Sequence, residues 1–126
     1  MNQTYYKQIL QLKSQLENYV SGQQFEELFT FGYFLQEYIR RQGLSDKIFS
    51  EHIGVKDAAI SQYVNNRRNP TKEFLVRLEL HSQGLFPALA WLKLLHKIKE
   101  YEMLKNKALR SEQQVHILQC IDLVGN

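Results

Sequence analysis

The sequence predicts an all-α protein, and three observations carry that prediction. Apolar residues recur at steps of three and four along most of the chain. No run of β-branched residues alternates with polar ones between turn signals, so strands lack support. Breakers sit between the periodic stretches: of the 126 residues only Pro70 and Pro87 are proline, and Gly22, Gly43, Gly54 and Gly84 fall at helix ends.

The first periodic stretch runs through Tyr5, Ile9, Leu12, Leu16 and Tyr19, one face of a helix. Asn2 or Thr4 is the expected cap and Ser21-Gly22 the stop. The same pattern fits a fold back onto its own domain or a short coiled-coil seam between copies. A second helix is expected over about 25–42, lined by Phe25, Leu28, Phe29, Leu35, Tyr38 and Ile39 and closed by Gly43. Phe31 and Phe34 make it apolar more than halfway round, which implies burial against more than one neighbour, and Gly32 permits a close helix approach.

Ser45 caps a third helix that turns Ile48 and Phe49 inward and ends at Gly54. A fourth runs over about 57–65 and buries Ile60 with Tyr63 or Val64. Asp57 is a natural cap or first-turn residue there, and capping is favoured over base reading. Asn66 closes this helix in the left-handed conformation. Thr71 caps a fifth helix, with Glu73 in its first turn and Phe74, Leu75, Leu78 and Val76 turned inward, ending at Ser82-Gln83-Gly84. After Pro87 a long helix spans about 88–106, with Trp91, Leu94, Leu95, Ile98, Tyr101 and Leu104 as its seam. Trp91 is expected to seal it onto the preceding domain. Ser111 to Gln114 match a capping box, followed by an amphipathic helix through Val115, Leu118 and Ile121 and a frayed Gly125-Asn126.

The totals bound the function more loosely. A net charge of +3 and a pI near 9.0 are compatible with nucleic acid without requiring it. The lone Cys120 excludes an internal disulfide, suits a reducing compartment and reads as an apolar filler. The amino terminus is wrong for a secretory signal, and the apolar run at 85–92 is too short to span a bilayer. A soluble, cytoplasmic protein is expected. His52, His81, His96 and His116 share no metal-ligand spacing with one another or with Cys120. No catalytic, P-loop or dinucleotide fingerprint occurs, so no enzyme, cofactor or metal is expected.

The chemistry gathers between Ser45 and Pro70. Small Ser50, Gly54 four residues on and Ile60 six further meet the constraints of a helix-turn-helix: a crossing point, a turn tolerant of positive φ, and an inward apolar residue. The outer face of the second helix then carries Lys56, Asp57, Ala58, Ser61 and Gln62 as base-facing candidates. Gln62 is the best reader, since its amide matches adenine N6 and N7. Lys56 suits guanine or phosphate, Ala58 a thymine methyl, and Ser61 a base or a phosphate. Lys47, Asn65, Arg67 and Arg68 are the phosphate candidates, which fix register without reading sequence.

On Leu44-Ser45, Gly54-Val55, Ile60-Ser61 and Asn66-Arg67-Arg68-Asn69-Pro70, the stretch from about Phe31 to Leu80 resembles the Xre family of λ-repressor-like helix-turn-helix domains. The resemblance implies a five-helix domain, with Lys56, Asp57, Ala58 and Gln62 facing bases and Arg67 at the backbone. Phe49-Ser50 replaces the usual Leu-Ala pair, Val64 stands where an acidic residue is common, and Asn66 replaces a common glycine. The segment from Gly84 to Arg110 resembles the tails of some Xre-type antitoxins. The expected organisation is an amino-terminal helix at 1–22, a DNA-binding domain at 23–84 and a helical extension at 85–126 for dimer or partner contact. The expected function is a dimeric, sequence-specific repressor of double-stranded operator DNA, an autorepressing antitoxin with a cognate toxin. The alternative is an interaction adaptor that keeps the fold without binding DNA.

Overall fold

The computed structural model describes residues 2–125, and among them it contains seven helices and no strand. These are α1 (Gln3–Ser21), α2 (Phe31–Arg40), α3 (Asp46–Ile53), α4 (Asp57–Val64), α5 (Lys72–His81), α6 (Ala88–Lys105) and α7 (Lys107–Gln114). Asn126, expected to fray, lies outside the described residues.

Polar caps set most of the helix starts. Asn2, Thr30, Ser45, Thr71 and Asn106 each accept the backbone N–H three residues on, satisfying a donor that the helix cannot. Several ends close by a common device. A residue with positive φ follows the last turn, at Gly43, Gly54, Asn66 and Gln83. The next backbone N–H then returns to the carbonyl five residues back, as Leu44 to Ile39, Val55 to Ser50, Arg67 to Gln62 and Gly84 to Glu79.

α1 lays Ile9, Leu12, Leu16 and Tyr19 against α2 and α6, so its apolar seam is spent within its own chain. Lys97 of α6 donates to the Tyr19 and Gly22 carbonyls and lies over the Tyr19 ring. That placement satisfies orphan acceptors at the end of α1 and puts a cation at its negative pole. Trp91 is 0% exposed and sits among the rings of Phe31, Tyr38 and Phe86, at centroid distances of 5.5, 6.0 and 5.7 Å. It seals α6 onto the domain, and its burial removes it as a partner contact. α2 packs on α1, α4 and α6, as its broad apolar face requires.

Several expectations need correction. The second helix starts at Phe31 and not near Phe25. Residues 22–30 form a loop instead, pinned by Tyr19, whose hydroxyl accepts from the Glu26 N–H at 3.0 Å. Phe25 leaves the helix line to stack on Tyr101 at 3.6 Å, Phe29 packs edge-on to Tyr19, and Leu28 is exposed. Ile48 and Val76 do not turn inward, being 41% and 44% exposed. The seam of α6 runs past the body of the domain, leaving Leu104 in solvent. Ser111 caps nothing and lies inside α7, which Asn106 caps through Leu109 N at 2.8 Å. The helix expected beyond it is absent: residues 117–122 have no regular structure, and Cys120 is exposed instead of filling a core.

Candidate nucleic-acid interface

α3 and α4 form a helix-turn-helix. Ser50, 5% exposed, supplies the small crossing surface, and its hydroxyl turns back to the Lys47 carbonyl at 2.6 Å. Gly54 takes φ 66° at the turn, a conformation that costs a side-chain-bearing residue about 1–2 kcal/mol. Phe49, fully buried, fills the space behind against Tyr38 and His81. α4 buries Ile60 and Tyr63, and Tyr63 stacks on Phe74 of α5 with centroids 4.3 Å apart.

With that inner face consumed, the outer face of α4 is free. Lys56, Asp57, Ala58, Ser61 and Gln62 are all exposed, as are Lys47, Asn65, Arg67 and Arg68 around it. Lys56 occupies the N-cap position and makes no side-chain cap, while Asp57 is the first helical residue. Of its two expected places, cap and first turn, Asp57 takes the second: it does not cap, and it meets the positive pole of α4 from the first turn. The Asn65 amide donates back to the Ser61 carbonyl at 2.8 Å, which ties these two side-chain positions together. Arg68 lies over the Tyr63 ring at 5.4 Å, which orients its guanidinium beside the end of α4.

Two supporting contacts are not legible from the motif. Arg77 of α5 donates to the carbonyls of Ile53 and Gly54 at 3.0 and 2.9 Å, closing the end of α3 and bracing the turn. Its position at mid-helix gives no signal, because the contact joins residues 23 and 24 apart. At the other end of α4, the Asn66 side chain bridges to Gly32 and Thr30 of the α2 start. The left-handed backbone of Asn66 follows from its residue type; the bridge does not.

Beneath the unit, the Tyr38 hydroxyl and His81 Nδ1 share a hydrogen bond at 2.6 Å, and the His52 ring stacks on His81 at 5.8 Å. Burial, and then the neighbouring His52, hold the His81 pKa below its ordinary value, while burial raises that of Tyr38. Among the described residues no three His, Cys, Asp or Glu side chains are grouped to hold a metal ion, and no helix is long and apolar enough to cross a membrane.

A buried-backed helix-turn-helix with a polar, mixed-charge outer face defines a DNA-binding module of the transcription-regulator class. Comparison with known families agrees: residues 35–80, from within α2 to the end of α5, match the family described as Helix-turn-helix. Over that segment the chain matches the Xre-type, λ-repressor-like helix-turn-helix domains. No curated protein and no solved structure matches the chain.

Proposed function

We propose that the chain is a sequence-specific repressor that places α4 in the major groove of a double-stranded operator. The observation that supports it is the division of α4 into an inner face buried on α2, α3 and α5 and an outer face left wholly to solvent. In this reading Lys56, Asp57, Ala58, Ser61 and Gln62 face base edges, and Lys47, Asn65, Arg67 and Arg68 hold phosphates. One short helix reads only a few base pairs, so the protein acts as a homodimer on two half-sites. Residues 23–84 bind the duplex in the cytoplasm, and residues 85–126 meet the second copy or a partner. A shift assay on the DNA upstream of its own gene tests this. Binding that weakens steeply with salt is the expected result; absent or salt-insensitive binding overturns it in favour of an interaction adaptor.

The finer reading is an autorepressing antitoxin. It is supported by the apolar side chains beyond the domain body, including Leu104, Ile117, Leu118, Ile121 and Leu123, all exposed. Exposed apolar side chains in this number on a regulator fit a protein partner. If the product of the adjacent reading frame arrests growth, co-expression of the full chain relieves it and a chain ending at Asn106 does not. Equal relief by both chains, or none by either, sinks the antitoxin reading.

A further inference from the structure

We infer that Asn66 is a positioning residue for the recognition helix: its carboxamide ties the end of α4 to the start of α2 and so fixes the angle at which α4 is presented. The inference rests on the DNA-reading role proposed for α4. Asn66 stands just past the last turn with φ 57°. Glycine would meet that backbone requirement at least as well, so the side chain answers to something else. Its Oδ1 accepts the Gly32 N–H at 2.8 Å, and its Nδ2 donates to Thr30 Oγ1 at 3.0 Å. Thr30 Oγ1 also accepts the Tyr33 N–H at 3.0 Å. Two orphan donors of the first turn of α2, on Gly32 and Tyr33, are thus met by one linked pair of side chains, one of which comes from the end of α4.

The bridge acts where the two helices come closest. A Cβ added at Gly32 would collide with the Val64 carbonyl oxygen and stand 2.8 Å from Asn66 Oδ1. Backbone therefore meets backbone there, and the carboxamide holds the contact from the side. Arg77 braces the turn before α4 through the Ile53 and Gly54 carbonyls. With Asn66 at the other end, α4 is tethered to its scaffold at both ends by side chains that do not themselves have to touch DNA. A helix tilted by a small angle still meets phosphates through flexible lysine and arginine side chains. It loses the bidentate geometry that base reading demands.

The test compares the wild-type chain with Asn66→Gly, which keeps the left-handed backbone and deletes only the bridge. A duplex selected from a random pool by the wild-type chain serves as target, and a scrambled duplex as control. Both proteins are assayed well below their thermal transitions, where circular dichroism shows them folded. The expected result is a loss of roughly 5- to 30-fold in affinity for the selected duplex, the factor that one or two net hydrogen bonds are worth. Affinity for the scrambled duplex and its salt slope stay at the wild-type values, and hydrogen exchange at the Gly32 amide accelerates. Unchanged affinity for the selected duplex overturns the inference while leaving the DNA-reading role intact. An equal loss on both duplexes with a shallower salt slope also overturns it, because Asn66 would then be a phosphate contact. Failure of the wild-type chain to prefer any duplex removes the DNA-reading role and the inference with it.

Discussion

Gln62 and Arg67 share a hydrogen bond, the Arg67 N–H on the Gln62 carbonyl at 2.8 Å, yet their side chains are suited to different tasks. The Gln62 amide can pair with one base edge, so Gln62→Ala should relax preference at one position per half-site and cost about 1–3 kcal/mol there. Binding to unrelated duplexes should not change. Arg67 follows the end of α4, where the proposed docking would bring its guanidinium to the duplex backbone. Arg67→Ala should weaken all duplexes evenly and lower the salt slope by about one for each phosphate left without its cation. Selection from a random pool reads the first effect, and affinity against salt concentration reads the second. Interchanged results would mean that α4 is rotated about its axis from the proposed placement. In the proposed docking Asp57 should limit affinity in either case, since a carboxylate on this face repels phosphate while favouring the start of α4.

At the scale of the element, the packing around the helix-turn-helix makes two predictions. Gly32→Ala would ordinarily favour a helix by about 1 kcal/mol. Here the added methyl strikes the Val64 carbonyl, and overpacking of that kind costs about 1–3 kcal/mol. Net destabilisation in a thermal melt is expected, and a stabilised variant would show that α2 and α4 can part. The junction of α2, α3 and α5 should respond to pH. The folded His81 titrates below its ordinary value of about 6.5, so the unfolded chain binds more protons as pH falls through that value. Stability is full above pH of about 6.5 and declines as pH drops toward the folded pKa. His81→Asn keeps a hydrogen-bonding side chain for Tyr38 and removes the titration, so it should flatten this decline; an unchanged slope would assign the effect elsewhere. The elements themselves are largely legible in the sequence. Ser45, Gly54, Ile60, Asn66 and Thr71 act locally, through caps, turns and one inward face, and local rules find such residues. Residues 25–30 mislead because Phe25, Leu28 and Phe29 imitate helical spacing, while their fates are set by Tyr101, Tyr19 and solvent. Arg77 and the Asn66 bridge are hidden for the same reason, their partners lying 23 to 36 residues away.

For the whole molecule, the apolar surface is unevenly spent. The rings around Trp91 and the seam of α1 join α1, α2 and α6 into one core, while α7 buries none of its residues. Beyond it Leu118 is 98% exposed, and Ile121, Leu123 and Val124 are exposed with it. A segment with no buried side chain contributes little to folding, so a chain ended at Asn106 should melt within about 0.5 kcal/mol of the full chain when both are diluted to monomers, the range of neutral surface changes. Its association should differ. Exposed apolar side chains favour contact with another molecule, in proportion to the area removed from water. Since the seam of α1 is already covered, α7 and the tail are the exposed apolar surface on which the proposed dimer would form. Sedimentation equilibrium should find the full chain dimeric and the shortened chain monomeric. The shortened chain should then keep its weak, salt-dependent grip on any duplex and lose its preference for a two-half-site operator, because each α4 would read alone. A shortened chain that remains dimeric would move the seam back to the helices before residue 107, with Leu89 and Leu92 on the exposed side of α6 as the next surface to alter.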